Sequence, residues 1–339
     1  DGIPIATDFT TGFGGPNTGR GNTMPNILSS IEPGNIESMS ILKGPSATAI
    51  YGSRGANGVV IITTKSGKAG QNRVDYTASV GMSKIAKKLN FMGAKDYAKM
   101  RVDYNTLLGQ PPLFTESEIN SFGRGTDWQD EITRVGIATN QSLVFSGGTD
   151  KTTYMIGGNY SKNEGIVRGS GFDRYGFTAN ISSNISKRFR VGASSSFTYS
   201  INNRVPTGTK GYQEAPGVIY NLIIAPPTSP ARNENGEIIE ITNFPAGGQS
   251  PLVIAELLKF QMLTNRFIGN VHATYDITDD LSATVTIGGD VRNFRYGQYF
   301  PSNSDWGRGQ RGAASNWSDE NLNIVSNNIL NYKKDINES

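Results

Sequence analysis

The most specific stretch of the chain runs from residue 36 to residue 65 and reads IESMSILKGPSATAIYGSRGANGVVIITTK. Short apolar runs flank a core of small residues, glycine and one proline, which is typical of strands joined by tight corners. The pattern predicts a compact strand–turn–strand module. Its parts are a short strand (Ser38 to Leu42), a turn (Lys43-Gly44-Pro45), one helical turn (Ala47 to Tyr51), a glycine-rich corner (Gly52 to Gly58) and a buried strand (Val59 to Thr64).

The glycine-rich corner does not match a nucleotide site. A phosphate-binding loop closes with Gly-Lys-Ser or Gly-Lys-Thr at the start of a helix. Here the apolar run Val59 to Thr64, which predicts a strand, follows Gly58 directly. The stretch is therefore interpreted as structural.

The spacing of apolar residues changes just after this stretch. Residues 65–72 combine Gly, Ser and Lys, which is typical of a connector. Before it, apolar runs follow no strict period; after it, apolar residues recur at every second position. We therefore predict two domains, residues 1–70 and residues 71–339.

The second domain is predicted to consist of eight strands. The clearest of them places apolar side chains and Ser195 on the odd positions from Phe189 to Ile201, and Arg, Ser, Thr and Gly on the even ones. Such alternation indicates strands with one apolar face, most of them near the roughly 9–11 residues that cross a bilayer at a tilt. The predicted strands cover residues 74–82, 137–145, 154–160, 175–181, 189–201, 263–275, 281–291 and 322–332.

The connections between these strands favour a barrel. Short ones at 147–151, 186–187 and 277–280 alternate with longer ones at 83–135, 161–171, 202–260 and 293–320. Successive connections of an antiparallel barrel emerge at opposite ends, and outer-membrane barrels carry tight turns at one end and large loops at the other. A β-sandwich gives less reason for this alternation.

The composition fits a barrel wall. Only 36% of the 339 residues are hydrophobic and 18% are charged, and 41 are glycine. Disorder is not expected, because the net charge is only +3 and the chain has 14 Tyr and 15 Phe. A barrel needs apolar residues only on the half of each strand that faces lipid.

Several functions are excluded by what the sequence lacks. It has no Cys, and its single His272 lies in an alternating run, where the polar face of a strand is the simpler interpretation. No long apolar run predicts a membrane helix, and no basic cluster indicates nucleic-acid binding. We predict no enzyme activity, no catalytic residue, no cofactor and no metal.

Aromatic and helical features complete the local pattern. Tyr160, Tyr199, Tyr275 and Tyr332 lie near strand ends, where tyrosines form the interfacial girdles of membrane barrels. The spacing of residues 94–104 predicts a helix inside the first long connection, which Gly109 and Pro111-Pro112 end.

The stretch at 36–65 closely resembles the plug-domain signature of TonB-dependent outer-membrane transporters. Its residue sequence is similar to that of the SusC/RagA branch. Further motifs of that branch are Asp1-Gly2-Ile3-Pro4-Ile5, residues 126–132, residues 146–154 and residues 160–166. The resemblance implies the C-terminal part of an α+β plug and about eight strands of a larger transmembrane antiparallel β-barrel. We interpret the chain as an internal fragment.

The resemblance also implies partners and a place in the cell. In that family a SusD-like surface lipoprotein caps the barrel and helps to capture oligosaccharides or peptides, and the TonB complex pulls on an N-terminal box, absent here, to open the plug. Outer-membrane lipid surrounds the barrel. The expected localisation is the cell outer membrane, and nucleic acid is not expected as a partner.

Two groups of candidate site residues follow. The first matches the plug signature and is expected to shape the plug and its contacts with the barrel, with Arg54 paired to a carboxylate or to carbonyl groups. The second consists of aromatic residues in the last long connection, whose flat rings suit sugar faces; Trp128 is instead expected to be structural. The first group is Lys43, Gly44, Pro45, Tyr51, Gly52, Arg54, Gly55, Asn57 and Gly58, and the second is Tyr299, Trp306 and Trp317.

Three functions remain open at this point. The first is a plug-gated importer, the second a receptor or signal transducer on the same fold, and the third a secreted β-rich glycan-binding adhesin. Glycoside hydrolysis is not expected, because Asp305, Asp319 and Glu320 show no pairing for acid–base work.

Overall fold

The computed structural model describes residues 2–5, 31–44, 49, 51–70, 72–207, 217–241 and 248–334. These residues form two antiparallel sheets, one of two strands and one of eight. Within the large sheet every strand pairs with the next strand in the sequence, so the sheet is a simple meander. The strands are β1 (Ile36–Leu42), β2 (Val59–Thr64), β3 (Arg73–Ser83), β4 (Gly136–Gly148), β5 (Thr152–Glu164), β6 (Gly171–Asn184), β7 (Phe189–Arg204), β8 (Lys259–Asp276), β9 (Leu281–Phe300) and β10 (Ala313–Tyr332).

The small sheet confirms the two strands of the predicted module but not the burial of the second. No residue of Val59–Thr64 is buried, and Val60 is 48% exposed, because the strand pairs with β1 alone. β1 and β2 pair from Leu42 opposite Val59 to Ile36 opposite Thr64. A 3-10 turn at Gly52–Gly55 makes the corner, where the Gly58 amide donates to the Gly55 carbonyl at 2.9 Å. The predicted helical turn at 47–51 lies mostly outside the described residues.

All eight predicted barrel strands are present, and most extend beyond their predicted ends. Their two faces differ as the alternation predicts. Val80 of β3 (71% exposed) and Ile324 of β10 (69%) lie on the outward face, whereas Arg266 of β8 (3%) and Asp290 of β9 (1%) are buried on the inward face. His272 shares the inward positions of β8 with Arg266, as predicted. Between the two ends of the sheet, apolar residues therefore cover the outside and mostly polar residues the inside.

Aromatic side chains border the apolar band of the outward face. Tyr160, Tyr175 and Tyr199 lie opposite one another on β5, β6 and β7, with ring centroids 5.0 and 6.2 Å apart. Near the other end of β7, Phe189 lies against Tyr275, with centroids 6.4 Å apart. From Phe189 to Tyr199 the strand rises roughly 33 Å, or about 25 Å at the usual barrel tilt of about 40°.

The connections alternate in length as predicted, with one correction. Tight turns at 149–151, 185–188 and 277–280 lie at one end of the sheet, and the longer connections lie at the other. The predicted long loop at 293–320 is wrong, because β9 continues to Phe300 and β10 begins at Ala313. In the described chain the sheet remains open, with β3 and β10 each paired on one side only.

The long connections contain the helices. The predicted helix at 94–104 is confirmed and ends at Leu107, just before Gly109 with a φ of 68°. Among the helices that the structure describes, none has the length and apolarity that crossing a bilayer demands. The helices are α1 (Ala94–Leu107), α2 (Glu116–Ser121), α3 (Trp128–Ile132), α4 (Val218–Ile224) and α5 (Asp305–Arg308), and a π-helical turn covers Val253–Leu257.

The long connections pack into a body with its own core, which we call the loop cap. Trp128 is 3% exposed, and its indole N–H donates to the Pro226 carbonyl at 3.1 Å. Burial among residues of both long connections confirms that Trp128 is structural. The core comprises Trp128, Ile132, Val218, Leu222, Ala225, Ala231, Ile241, Leu252, Ile254 and Ala255.

The connector between the two sheets is held against the tight-turn end of the large sheet. The Gly70 amide donates to the Gly148 carbonyl at 3.0 Å. A Cβ atom on Gly67 would lie 2.2 Å from the Tyr154 carbonyl oxygen and 2.5 Å from that of Gly147. The small sheet is thereby tethered where β4 turns into β5.

We expect Gly67→Ala to loosen this tether. The added methyl group has to displace the connector or the β4–β5 backbone, which is expected to cost about 1–3 kcal/mol as an overpacked contact does. In the folded full-length protein, trypsin should cut faster after Lys65 and Lys68, which flank the glycine. Gly81→Ala on β3 is the matched control, because its Cβ would lie 4.0 Å from the nearest atom. Equal cleavage of the two variants would contradict the tether.

Candidate functional site on the inner face of the sheet

The inward face of the large sheet carries buried ion pairs. The Arg266 guanidinium donates twice to the Asp290 carboxylate, at 2.9 and 2.6 Å, and the two side chains are 3% and 1% exposed. One strand further on, Arg292 donates to Asp319 at 3.2 Å. Removing one member of such a pair leaves a buried charge and costs about 3–5 kcal/mol. The inside of the sheet is thus built for polar contacts and not for lipid.

The segment before β1 is fastened to this face by an ion pair. Glu32 forms a salt bridge with Arg174 of β6, whose side chain is only 10% exposed. The same guanidinium donates to the Ile31 carbonyl at 3.4 Å and to the Ser161 hydroxyl of β5 at 3.3 Å. The hydrogen bond to Ser161 on the neighbouring strand helps to orient the Arg174 guanidinium toward Glu32.

Two further contacts continue along the same face of β6. The Asn35 side-chain amide donates to the Thr178 hydroxyl at 3.1 Å. The Asn180 side-chain amide donates to the Thr64 hydroxyl at 3.0 Å and to the Lys65 carbonyl at 2.6 Å. Since Arg174, Thr178 and Asn180 alternate with outward residues, they form one row. We call this row with its partners the β6 dock.

The N-terminal residues contact the same inner face closer to its other edge, on β9 and β10. The Asn323 side-chain amide of β10 donates to the Pro4 carbonyl at 3.0 Å. Ile3 packs close to Gly288 of β9, where a Cβ would lie 2.9 Å from its Cδ1 atom. Residues 3 and 4 thus contact β9 and β10 on the inner face, and residues 31–35, 64 and 65 contact β6.

The plug-signature glycines occupy the backbone conformations that glycine favours. Gly44, Gly52 and Gly58 have φ values of 66°, 60° and 91°, which other residues rarely adopt. Gly55 is buried in the 3-10 turn, whereas Tyr51 and Asn57 are exposed. Pro45 and the Arg54 side chain lie outside the described residues. Of the predicted set, the structure also describes Lys43, which follows β1.

The predicted aromatic residues do not lie in one loop. Trp317 is an inward residue of β10 stacked on Tyr296 of β9, with centroids 5.4 Å apart, and Trp306 of α5 lies 6.1 Å from Phe300. Both border a cluster of buried apolar residues on the inner face near the long-connection end. Tyr299 lies on the opposite, outward face and is 44% exposed. The structure therefore groups Trp306 with Trp317 and separates Tyr299 from them.

The β6 dock and the inward aromatics Phe294, Tyr296 and Phe300 were not predicted as site residues. A signal for the aromatics exists: all three occupy even positions, on the face opposite to Val291. No comparable signal marks the dock, because its contacts join residues more than 110 positions apart.

A buried carboxyl group lies in the loop cap. Glu240 accepts hydrogen bonds from the backbone amides of Ser250 at 2.7 Å and Ile241 at 3.1 Å. Its other oxygen is buried without a partner among the described residues. Burial first, and then the Asp305 carboxylate, raise the pKa of Glu240 to about 7. The group changes charge near neutral pH.

Among the residues that the structure describes, no group of three or more His, Asp or Glu side chains is placed to hold a metal ion.

Comparison with known sequences agrees with this architecture. A family model described as the TonB-dependent Receptor Plug Domain matches residues 1–59. The TonB-dependent receptor P3 of Formosa agariphila is 30% identical over 306 residues, which cover 89% of this chain and 29% of the receptor. The TonB-dependent receptor SusC of Bacteroides thetaiotaomicron is 33% identical over 290 residues, covering 79% of this chain and 27% of SusC.

Solved structures show the same fold. The RagAB peptide importer in its "open-open" state superposes with a TM-score of 0.75 and 23% identity, covering 93% of this chain and 38% of that chain. The "closed-closed" state gives a TM-score of 0.73 at the same identity. The chain thus spans less than a third of the length of P3 and SusC.

A plug sheet held against the polar inside of an apolar-coated β-meander defines the class of TonB-dependent receptors. The plug-domain match and the similarity to P3 and SusC support a fragment of a SusC/RagA-like TonB-dependent receptor. Its relatives are receptors and transporters, a class without enzymatic activity.

We expect Glu240→Gln to remove a pH dependence from the loop cap. Because the folded-state pKa is raised, the stability that Glu240 contributes is full below its ordinary pKa near 4.5 and falls as the pH rises through about 7. In the parent, hydrogen exchange at the Ser250 amide should quicken between pH 5 and pH 8 relative to the intrinsic rate. The Gln variant should lose this excess, whereas exposed Glu234→Gln in the same connection should retain it. An excess that persists in Glu240→Gln would rule out this origin.

Proposed function

We propose that the full-length protein is an outer-membrane transporter, energised through the TonB complex, that imports a nutrient through a plug-gated β-barrel. One observation carries the proposal: the small sheet is fastened by the β6 dock to the polar face of a sheet whose other face is apolar. Such a sheet separates lipid from a polar interior, and the plug occupies that interior.

The location in the outer membrane is supported by the outward face. Its apolar band, bordered by the Tyr160–Tyr175–Tyr199 ladder and the Phe189–Tyr275 pair, matches the roughly 25 Å band of outer-membrane barrels. Tyrosine rings suit the headgroup level, because they are apolar at one end and polar at the other. The tight turns then face the periplasm and the loop cap faces the outside.

The chemistry of the dock supports a movable plug. The Glu32–Arg174, Asn35–Thr178 and Asn180–Thr64 contacts are polar, so water can replace each partner as the plug moves away. A net contribution of roughly 0.5–1.5 kcal/mol per hydrogen bond holds the plug at rest without making it immovable.

For the cargo we propose oligosaccharides or peptides, captured with a SusD-like surface lipoprotein. The named relatives support this, since one is SusC and the matching structures are of a peptide importer. Trp306 and Trp317 are the proposed ligand contacts, because both are half-buried at the inner rim, where a flat ring can stack on a sugar or a peptide side chain. Tyr299 is left out of this lumenal group because it faces outward.

Locking the β6 dock should abolish import. These 339 residues contain no cysteine, so Asn35→Cys combined with Thr178→Cys introduces one pair of thiols here for a short reversible bis-methanethiosulfonate linker. Any cysteine elsewhere in the full-length protein is first replaced by Ser. In cells that depend on the full-length protein, treatment should stop uptake of the growth substrate, and a reductant should restore it. Each single-cysteine variant is the matched control, and deletion of the TonB gene should give the same loss. Undiminished uptake by the cross-linked protein would overturn plug gating.

Trp317→Ala should weaken ligand binding by about 3- to 10-fold, the scale of one aromatic stacking interaction. Trp317→Phe should retain most of the affinity, because it keeps a flat ring beside Tyr296. The measurement is a titration of the purified full-length protein with the growth substrate, alongside its heat-modifiable migration to verify folding. Unchanged affinity in a folded Ala variant would remove Trp317 from the site.

A further inference from the structure

A groove of about 540 Å³ lies on the outward face of the large sheet, near its long-connection end. Gly169, Ala255 and Leu258 border it on the side of the loop cap, and the inward residues Arg204, Phe260 and Gln298 lie at its base. The outward residues that line it are Asn203, Lys259, Gln261, Gly297 and Tyr299.

The register places this groove just outside the apolar band. Asn203 of β7 lies opposite Gln261, which lies opposite Gly297, and Lys259 lies opposite Tyr299. Asn203 is four residues beyond Tyr199 of the tyrosine ladder, which is roughly 13 Å along the strand and about 10 Å in height at a 40° tilt. If the ladder marks the outer interface, the groove lies among the headgroups of the outer leaflet.

The groove offers a cation with donors to spare. The Lys259 ammonium gives one hydrogen bond, to the Glu256 carbonyl at 2.9 Å, and two of its three protons remain available. The Glu256 carboxylate is already shared between Arg168 at 3.8 Å and Arg232 at 3.7 Å. The Lys259 ammonium therefore suits a phosphate group, because hydrogen bonds between ionised partners are short and strong.

The remaining groups suit a sugar. The ring of Tyr299 is flat and 44% exposed. The Gln261 amide nitrogen donates to the Asn203 side-chain oxygen at 2.9 Å, which leaves the Asn203 amide nitrogen and the Gln261 oxygen for hydroxyl groups. At Gly297 a Cβ would meet nothing closer than 4.0 Å, so the missing side chain opens space between the ring and the amides.

We propose that this groove binds the phosphorylated sugar headgroup of an outer-leaflet glycolipid. The ring stacks on the sugar, the amides bind its hydroxyl groups, and Lys259 holds the phosphate. The proposal rests on the outer-membrane location in the proposed function. It assigns to Tyr299 a role outside the barrel instead of inside it.

The test uses the full-length protein in nanodiscs doped with lipid A, a diphosphorylated diglucosamine lipid, and counts the bound lipid by native mass spectrometry. Lys259→Gln combined with Tyr299→Ala should lower lipid A occupancy at least 10-fold. Lys162→Gln is the matched control, because Lys162 is an outward cation beyond Tyr160 whose ammonium is already paired with Glu164 at 3.1 Å. The control should bind as the parent does.

Two competing arms separate the sources of the phosphate. Inorganic phosphate at millimolar concentration and nanodiscs with phosphatidylglycerol in place of lipid A should not occupy the groove. Equal lipid A binding by the double variant and the parent would overturn the proposal. Release of lipid A by inorganic phosphate, or equal binding of phosphatidylglycerol, would overturn it as well. If the full-length protein bound lipid A in the groove but imported no nutrient, the proposed function would be wrong and the groove assignment would stand.

Discussion

The whole architecture depends on one constraint: the backbone polar groups of each strand must find partners within the sheet. The large sheet meets this constraint by pairing each strand with its sequence neighbour over nearly its full length. Because side chains alternate between faces, the same pairing directs Phe267 outward and Arg266 inward. A slip of one residue would exchange them and place a guanidinium on the apolar outward face. The tight turns at one end hold the register.

The polar inner face is the necessary counterpart of the apolar outer one, and the plug uses it. Charges that point inward need partners, and the wall supplies some of them itself, as in Arg266–Asp290. Arg174 instead pairs with Glu32 of the plug segment, while Ser161 of the neighbouring strand helps to orient it. The plug is therefore positioned by the same alternation that places apolar side chains on the outward face. Polar contacts give it a defined seat and remain exchangeable with water.

Much of this fold could be predicted, because alternation is a local property. All eight wall strands, the helix at α1 and the strand–turn–strand module follow from patterns within about 20 residues. The prediction was wrong where β9 and β10 leave the apolar band. There the outward residues become polar, as at Asn293 and Arg295, and the inward ones aromatic, as at Phe294 and Tyr296. Where the two faces of a strand exchange polar and apolar residues in this way, the sequence has the pattern of a loop. The sequence therefore predicted that Tyr299 and Trp317 lie in a loop.

The sequence by itself determined the class of protein, the number of wall strands and the face on which each side chain lies, because these depend on neighbours along the chain. Only the tertiary structure decided which residues meet across it. Glu32 reaches Arg174 over 142 positions, Trp128 joins a core with Leu252, and Asn203, Lys259 and Tyr299 come together from three strands. Such contacts depend on strand register and on the packing of distant segments, and no local period carries that information.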